Sequence, residues 1–216
     1  MNVVITCGPA WEPLDGMRRL TNASTGSLGT LLARQLIDAG HRVTVFRGEM
    51  ATAEPPPSTA ECRAFGTNDD LARGLSEWSL NHAVDALFHA AALCDFKLAA
   101  VRDSEGRDMG ANRKLPTRSG RLQLELEPAT KVLPLLRGWF PKARIVGWKY
   151  ELDGGRPGAL SAAWRQFREA GTDACVVNGA AWGEGFGWCE PPESVTPCRD
   201  VTELGRVLVA WVGRLD

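Results

Sequence analysis

The chain opens on a short apolar, β-branched run from Asn2 to Cys7 (N-V-V-I-T-C), and that run constrains everything after it. A strand without polar alternation must be covered on both faces, as the strands of a parallel sheet are. A loop rich in Gly, Pro and polar residues follows from Gly8 to Thr25. Leu28, Leu31, Leu32, Leu36 and Ile37 then recur at helical spacing, with Ser24 or Thr25 placed to cap the helix and Gly40 placed to stop it. Arg42 to Phe46 (R-V-T-V-F) reads as a second strand. Strand, glycine-bearing loop, helix and strand form the opening unit of a nucleotide-binding α/β fold.

The alternation continues. Pro55-Pro56-Pro57 marks a surface connection. Strands are expected at Ala60–Phe65, Val84–Ala91, Arg144–Tyr150 and Ala174–Val177, and helices at Asp69–Leu80, Thr130–Trp139, Gly158–Ala170 and Val201–Leu215. Leu122, Leu124 and Leu126 alternate with polar residues, as in a half-exposed strand. Two stretches carry no regular pattern: the polar segment Asp95–Arg121 and the Gly/Trp-rich Ala181–Trp188. The first is long enough to be functional or mobile. The pattern predicts one nucleotide-binding α/β domain over residues 1–216, a three-layer, Rossmann-like, open and mostly parallel sheet with helices on both faces.

Charge and composition narrow the function. Twenty-five basic residues stand against 26 acidic ones, without the basic excess of a nucleic-acid binder. No apolar run approaches the roughly 18 residues that span a bilayer, and no basic segment precedes the first strand, so no membrane partner and a cytoplasmic location are expected. The six cysteines form no C-x-x-C pair and are expected as reduced thiols packed in or near the core. The lysines, Lys97, Lys114, Lys131, Lys142 and Lys149, are few beside the arginines, which makes each worth a question.

Four places can carry chemistry. In Thr21 to Gly29 (T-N-A-S-T-G-S-L-G), Gly26 and Gly29 flank a helix start with Ser24 and Thr25 before it. Unpaired N–H groups at a helix N-terminus hold phosphate oxygens, and glycine lets the backbone approach them; the plain alternative is a capped helix packed on its strand. Asn22 beside that turn can grip an oxyanion without adding charge, or can be a turn residue. The strand entering Ala90-Ala91-Ala92-Leu93-Cys94-Asp95-Phe96 ends at the edge where such folds bind ligands, and Asp95 there can hold a triphosphate-bound Mg²⁺ or contact the nucleotide directly. His89, inside that strand, reads as a packed core histidine. Lys114, in the long polar segment, can swing over a reacting phosphate or be a surface lysine.

These stretches together resemble the phosphopantothenate–cysteine ligase (phosphopantothenoylcysteine synthetase) family, in its stand-alone form. Gly8 to Asp15 (G-P-A-W-E-P-L-D) resembles the family's G-x-T-x-E-P-I-D opening, and Asn22 to Gly29 its N-x-S-S-G-x-x-G motif. Ala90 to Phe96 resembles A-A-A-V-x-D-F, and Lys114-Leu115 with Leu122-Gln123-Leu124 resembles the lysine loop and the strand after it. Gly147 to Glu151 and Asp173 to Asn178 are similar to two later nucleotide-side motifs. The resemblance implies activation of the 4'-phosphopantothenate carboxylate by CTP or ATP with Mg²⁺, then attack by the cysteine amine. It implies catalytic roles for Asn22 and Lys114. The implied nucleotide contacts are Gly8, Ser24, Thr25, Gly26, Ala92, Asp95, Phe96, Trp148, Lys149 and Asn178, with Asp95 at the metal. It further implies a homodimer and no flavin, since the chain has no room for the decarboxylase half of bacterial fusions. The sequence departs from the family at Ala10, Trp11, Ser27 and Ala170, the last two standing where lysines are common.

Two other readings remain open. A non-catalytic nucleotide-binding relative would account for the missing lysines. An NAD(P)-dependent short-chain reductase shares a motif like Thr25 to Gly29, but needs its glycine turn directly after the first strand and a Tyr-x-x-x-Lys pair, and Tyr150 is the only tyrosine.

Overall fold

A computed structural model describes residues 1–110, 114–115 and 120–214. An eight-stranded sheet forms its centre. The parallel strands are β1 (Asn2–Cys7), β4 (Arg42–Gly48), β5 (Glu61–Phe65), β6 (Ala86–His89), β9 (Arg144–Tyr150) and β10 (Ala174–Asn178). Numbered among themselves along the chain, they run 3-2-1-4-5-6, the doubly wound order whose reversal lies between β1 and β6. The antiparallel β11 (Phe186–Glu190) and β12 (Ser194–Cys198) extend one edge.

Strict side-chain alternation sorts the core. Val3, Ile5 and Cys7 of β1 face α1 (Ser27–Asp38) and α5 (Val201–Gly213), whose Leu32, Leu36, Leu204 and Leu208 are buried against them. Val4 faces the opposite layer, where Leu71 and Leu75 of α2 (Asn68–Asn81) and Leu136 of α3 (Leu133–Trp139) pack. Ala159 and Ala163 of α4 (Gly155–Ala170) cover Cys175 and Val177 of β10 on that same side. The antiparallel edge is fixed to α5 through Glu190, whose two carboxylate oxygens accept from the Trp188 and Trp211 indoles, each at 2.9 Å.

The expected layers and mostly parallel sheet are present, and several local expectations are corrected. The Gly8–Thr25 loop contains a hairpin, β2 (Trp11–Pro13) with β3 (Arg19–Thr21). The polar segment contains β7 (Phe96–Arg102), which pairs with β8 (Gln123–Pro128) in a two-stranded ribbon. The Gly/Trp-rich loop ends inside β11. Neither Ser24 nor Thr25 caps α1: the N-cap is Gly26, left-handed at φ 80° and without a side-chain cap bond. Thr130 precedes α3 by three residues, because Pro134 sets the start of that helix. Residue 215, the expected end of α5, lies outside the described residues.

Five of the six thiols are buried and Cys62 is exposed. Burial pushes Cys7 and Cys189 up to about 12, so these are packed thiols and not nucleophiles. Among the described residues no helix is long and apolar enough to cross a membrane.

Candidate active site

The reversal between β1 and β6 is closed by backbone. Ala92 N–H donates to Gly8 O at 3.0 Å, and Ala10 N–H donates to Ala92 O at 2.9 Å. The turn after β1 is therefore zipped to the turn after β6. Gly8 sits at φ 79°, and a Cβ on Gly26 would come within 3.3 Å of the Gly8 Cα. At φ 80° a residue with a side chain would be strained, so a glycine starts the helix; Ser27 N–H donates to Thr25 Oγ1 at 3.3 Å, and the N-cap itself makes no side-chain bond.

Asn22 belongs to the same knot. Its Nδ2 donates to Ala92 O at 2.9 Å, the carbonyl that Ala10 also uses, and Oδ1 has no partner among the described residues. Asn22, Gly8, Gly26 and Ala92 thus meet at one point. Ser24 and Thr25 lead into it; the Thr25 hydroxyl stands 3.1 Å from the Ser27 hydroxyl.

Beside the knot, on the α2–α3–α4 face, opens a cleft of about 380 Å³ lined by His89, Asp95, Lys131, Trp148, Lys149 and Ala170 among others. Ala91 and Leu93, the neighbours of Ala92, also line it. Three of the sequence-named residues fall elsewhere. Asn178 lines a second cleft of about 560 Å³, with Ser27 and Thr30 on the α1 side. Phe96 stands in β7 with 54% of its surface exposed. Lys114 is exposed, and its neighbour Leu115 is buried and hydrogen-bonded to Asp15.

Asp95 is not a free metal ligand, because its carboxylate pairs with the Lys131 ammonium. No group of three or more His, Cys, Asp or Glu residues able to hold a metal exists among the described residues. The donor set does not fit a protein-held Mg²⁺; a magnesium ion here would arrive on the nucleotide phosphates, as Mg²⁺ commonly does.

Sequence patterns missed three contributors. Lys131 is 36 residues from Asp95, and only the shortage of lysines drew any notice to it. Asn68, 1% exposed, ties the Asp95 turn to the start of α3 by donating to Cys94 O and Thr130 O. His89, read as core, is buried but belongs to the cleft wall. The reductase alternative loses ground as well, because the β2–β3 hairpin occupies the connection where that fold needs its glycine turn.

The fold and the site define a doubly wound α/β protein with a crevice beside the strand-order reversal, where such folds commonly bind ligands. Its particular family follows from sequence: residues 1–196 match the model described as DNA/pantothenate metabolism flavoprotein C-terminal domain, and the chain belongs to that family. It is 29% identical over 178 residues to the coenzyme A biosynthesis bifunctional protein CoaBC of Thermococcus kodakarensis, covering 82% of this chain and 40% of that one. It is 30% identical over 189 residues to the CoaBC of Mycolicibacterium smegmatis, covering 86% and 44%. The chain therefore spans less than half the length of these relatives. Among solved structures, a DNA/pantothenate metabolism flavoprotein from Streptococcus pneumoniae superposes with a TM-score of 0.89 at 19% identity, covering 100% of both chains. A histidine mutant of Cab2 in complex with phosphopantothenate-cysteine superposes with a TM-score of 0.73 at 17% identity, covering 99% of this chain and 87% of that one. At such identities the likeness is one of fold.

Proposed function

We propose that this chain is a phosphopantothenate–cysteine ligase of coenzyme A biosynthesis. The observation that carries the reading is the Asn22 amide bonded to Ala92 at the strand-order reversal, beside the N-terminus of α1. Its CoaBC relatives and the phosphopantothenate-cysteine held by the Cab2 structure support the choice of substrates.

In this mechanism the phosphopantothenate carboxylate attacks the α-phosphorus of magnesium-bound CTP or ATP, forming an acyl-nucleotidylate and releasing pyrophosphate. The cysteine amine then attacks the acyl carbon, and the nucleoside monophosphate leaves with one oxygen of the original carboxylate. Asn22, fixed through Nδ2, turns its remaining amide hydrogen and Oδ1 to the reacting group and steadies the mixed anhydride without added charge. Gly8, Ser24, Thr25 and Gly26 face the phosphates, and Lys114 closes over them. Ala92 at the knot, with Asp95, Trp148 and Lys149 in the cleft beside it, attends the nucleotide, whereas Asn178 lies in the cleft on the α1 side and Phe96 on the exposed ribbon. Lys149 supplies positive charge to a cleft where Ala170 replaces the family's lysine, while Lys131 is paired with Asp95.

Two copies of the chain are proposed to pair through the β7–β8 ribbon, which exposes Phe96, Leu124 and Leu126. Soluble phosphorylated substrates make the cytoplasm the proposed location. The test is pyrophosphate release from CTP and from ATP, with phosphopantothenate and Mg²⁺, with and without cysteine. Release that requires phosphopantothenate supports the reading. Nucleotide binding with no release under any combination would leave only a non-catalytic relative.

A further inference from the structure

One buried hydroxyl decides which hydrogen a cleft histidine presents. Thr6 in β1 is 0% exposed; its Oγ1 accepts from Ala91 N–H at 3.3 Å and lies 2.8 Å from His89 Nδ1. A buried hydroxyl hydrogen needs an acceptor, and among the described residues His89 Nδ1 is the one that meets it. Nδ1 therefore accepts, and the neutral ring carries its own hydrogen on Nε2. Burial favours that neutral form, pushing the ring down to about 4. Thr6 and His89 are register partners on adjacent strands, so the sheet itself fixes the ring.

Nε2 has no protein acceptor among the described residues, although His89 is only 6% exposed and lines the cleft of about 380 Å³. A donor in that position is satisfied by whatever fills the cleft. Phosphate oxygens are poorly matched to this cleft, because its two lysines, Lys131 and Lys149, are balanced by two carboxylates, Asp95, which pairs with Lys131, and Glu169. We infer that His89 is a ligand-contacting residue, donating from Nε2 to an uncharged acceptor of the bound substrate, a carbonyl oxygen or a ring nitrogen. The choice of ligands rests on the ligase reading: such an acceptor exists on the nucleobase and on the amide of the pantothenoyl chain.

Isothermal titration of the full chain with CTP, with ATP and with phosphopantothenate separates these sources. His89→Gln keeps an Nε2 donor at similar reach, and His89→Met fills the space without one. The expected result is a roughly tenfold weaker Kd in His89→Met for one ligand class, the loss of one hydrogen bond, with His89→Gln within about threefold of wild type. The class that weakens names the source. Unchanged affinities in His89→Met overturn the inference and leave the ligase reading intact. Equal losses in both variants overturn it too, because the ring then packs and does not donate. Wild-type protein that binds none of the three ligands sinks the ligase reading, and the inference falls with it.

Discussion

Leu115 donates its backbone N–H to Asp15 Oδ2 at 3.1 Å, across 100 residues of sequence. The same carboxylate accepts from the N–H groups of Met17 and Arg18 and from the Arg18 guanidinium, which in turn donates to Leu115 O at 3.0 Å. Lys114 is thereby tethered to the turn between β2 and β3. Asn22 follows directly on β3. One small hairpin thus anchors both residues to which the proposed mechanism gives catalytic roles.

The tether predicts a pH signature. The Arg18 guanidinium, then the Leu115, Met17 and Arg18 N–H groups, hold the Asp15 carboxyl well below the usual carboxylate range. A depressed folded pKa contributes stability that is complete above the unfolded value, about 4, and is lost as pH falls below it. Asp15→Asn keeps the shape without the charge. Its urea midpoint should be lower than wild type at pH 7 and should change less between pH 5 and pH 3. Equal changes in the two proteins would refute the tether's electrostatic role.

His89 adds a second window at milder acidity. Its folded value of about 4 lies below the unfolded 6.5, so the unfolded ring takes a proton that the folded ring refuses. Stability is complete above about pH 6.5 and declines as pH falls toward 4, by up to roughly 3 kcal/mol. Urea titrations at pH 7.5 and 5.0 should show a smaller decline in His89→Met than in wild type. The same decline in both would assign it to other groups.

For Asn22→Ala, turnover should fall by about 10²–10³, the usual loss for one transition-state donor. The fold should survive, because the bond to Ala92 contributes only about 1 kcal/mol net. Steady-state pyrophosphate release and a thermal melt check both halves; near-normal turnover in a folded variant would remove Asn22 from the mechanism.

Helix α1 rests directly on β1. A Cβ added at Gly29 would stand 2.2 Å from the Cys7 Cβ. Gly29→Ala must push the helix off the sheet, at a cost of about 1–3 kcal/mol, and so displace the N-terminus that faces the phosphates. Urea unfolding and nucleotide affinity should both weaken. Wild-type values in either would contradict this contact.

The buried parallel strands were legible because sequences such as V-V-I-T-C and A-L-F-H are mostly apolar, each with one polar residue, Thr6 or His89. The hairpin and the edge strands were not. Trp11–Pro13 is too short for a period, Ser194–Cys198 carries a proline, and Phe186–Glu190 is a strand only because β10 and β12 pair with it. Asn22, Gly26 and Ala92 were legible as candidates from local motifs, and the bond of Asn22 to the Ala92 carbonyl required the sheet order. The Asp95–Lys131 pair and the Thr6–His89 bond come from strands and turns brought together by tertiary packing, which no local period encodes. The misplaced cap has a local cause of another kind: Gly26 takes φ 80°, a left-handed conformation that favours glycine over a capping Ser or Thr.

The central claim is a ligase that passes through an acyl-nucleotidylate. Mass spectrometry of a reaction with phosphopantothenate bearing ¹⁸O in both carboxylate oxygens tests it most directly. The account predicts one ¹⁸O in the CMP or AMP released and the other in the new amide. A nucleoside diphosphate product, or a monophosphate with no ¹⁸O formed alongside the amide, would contradict it.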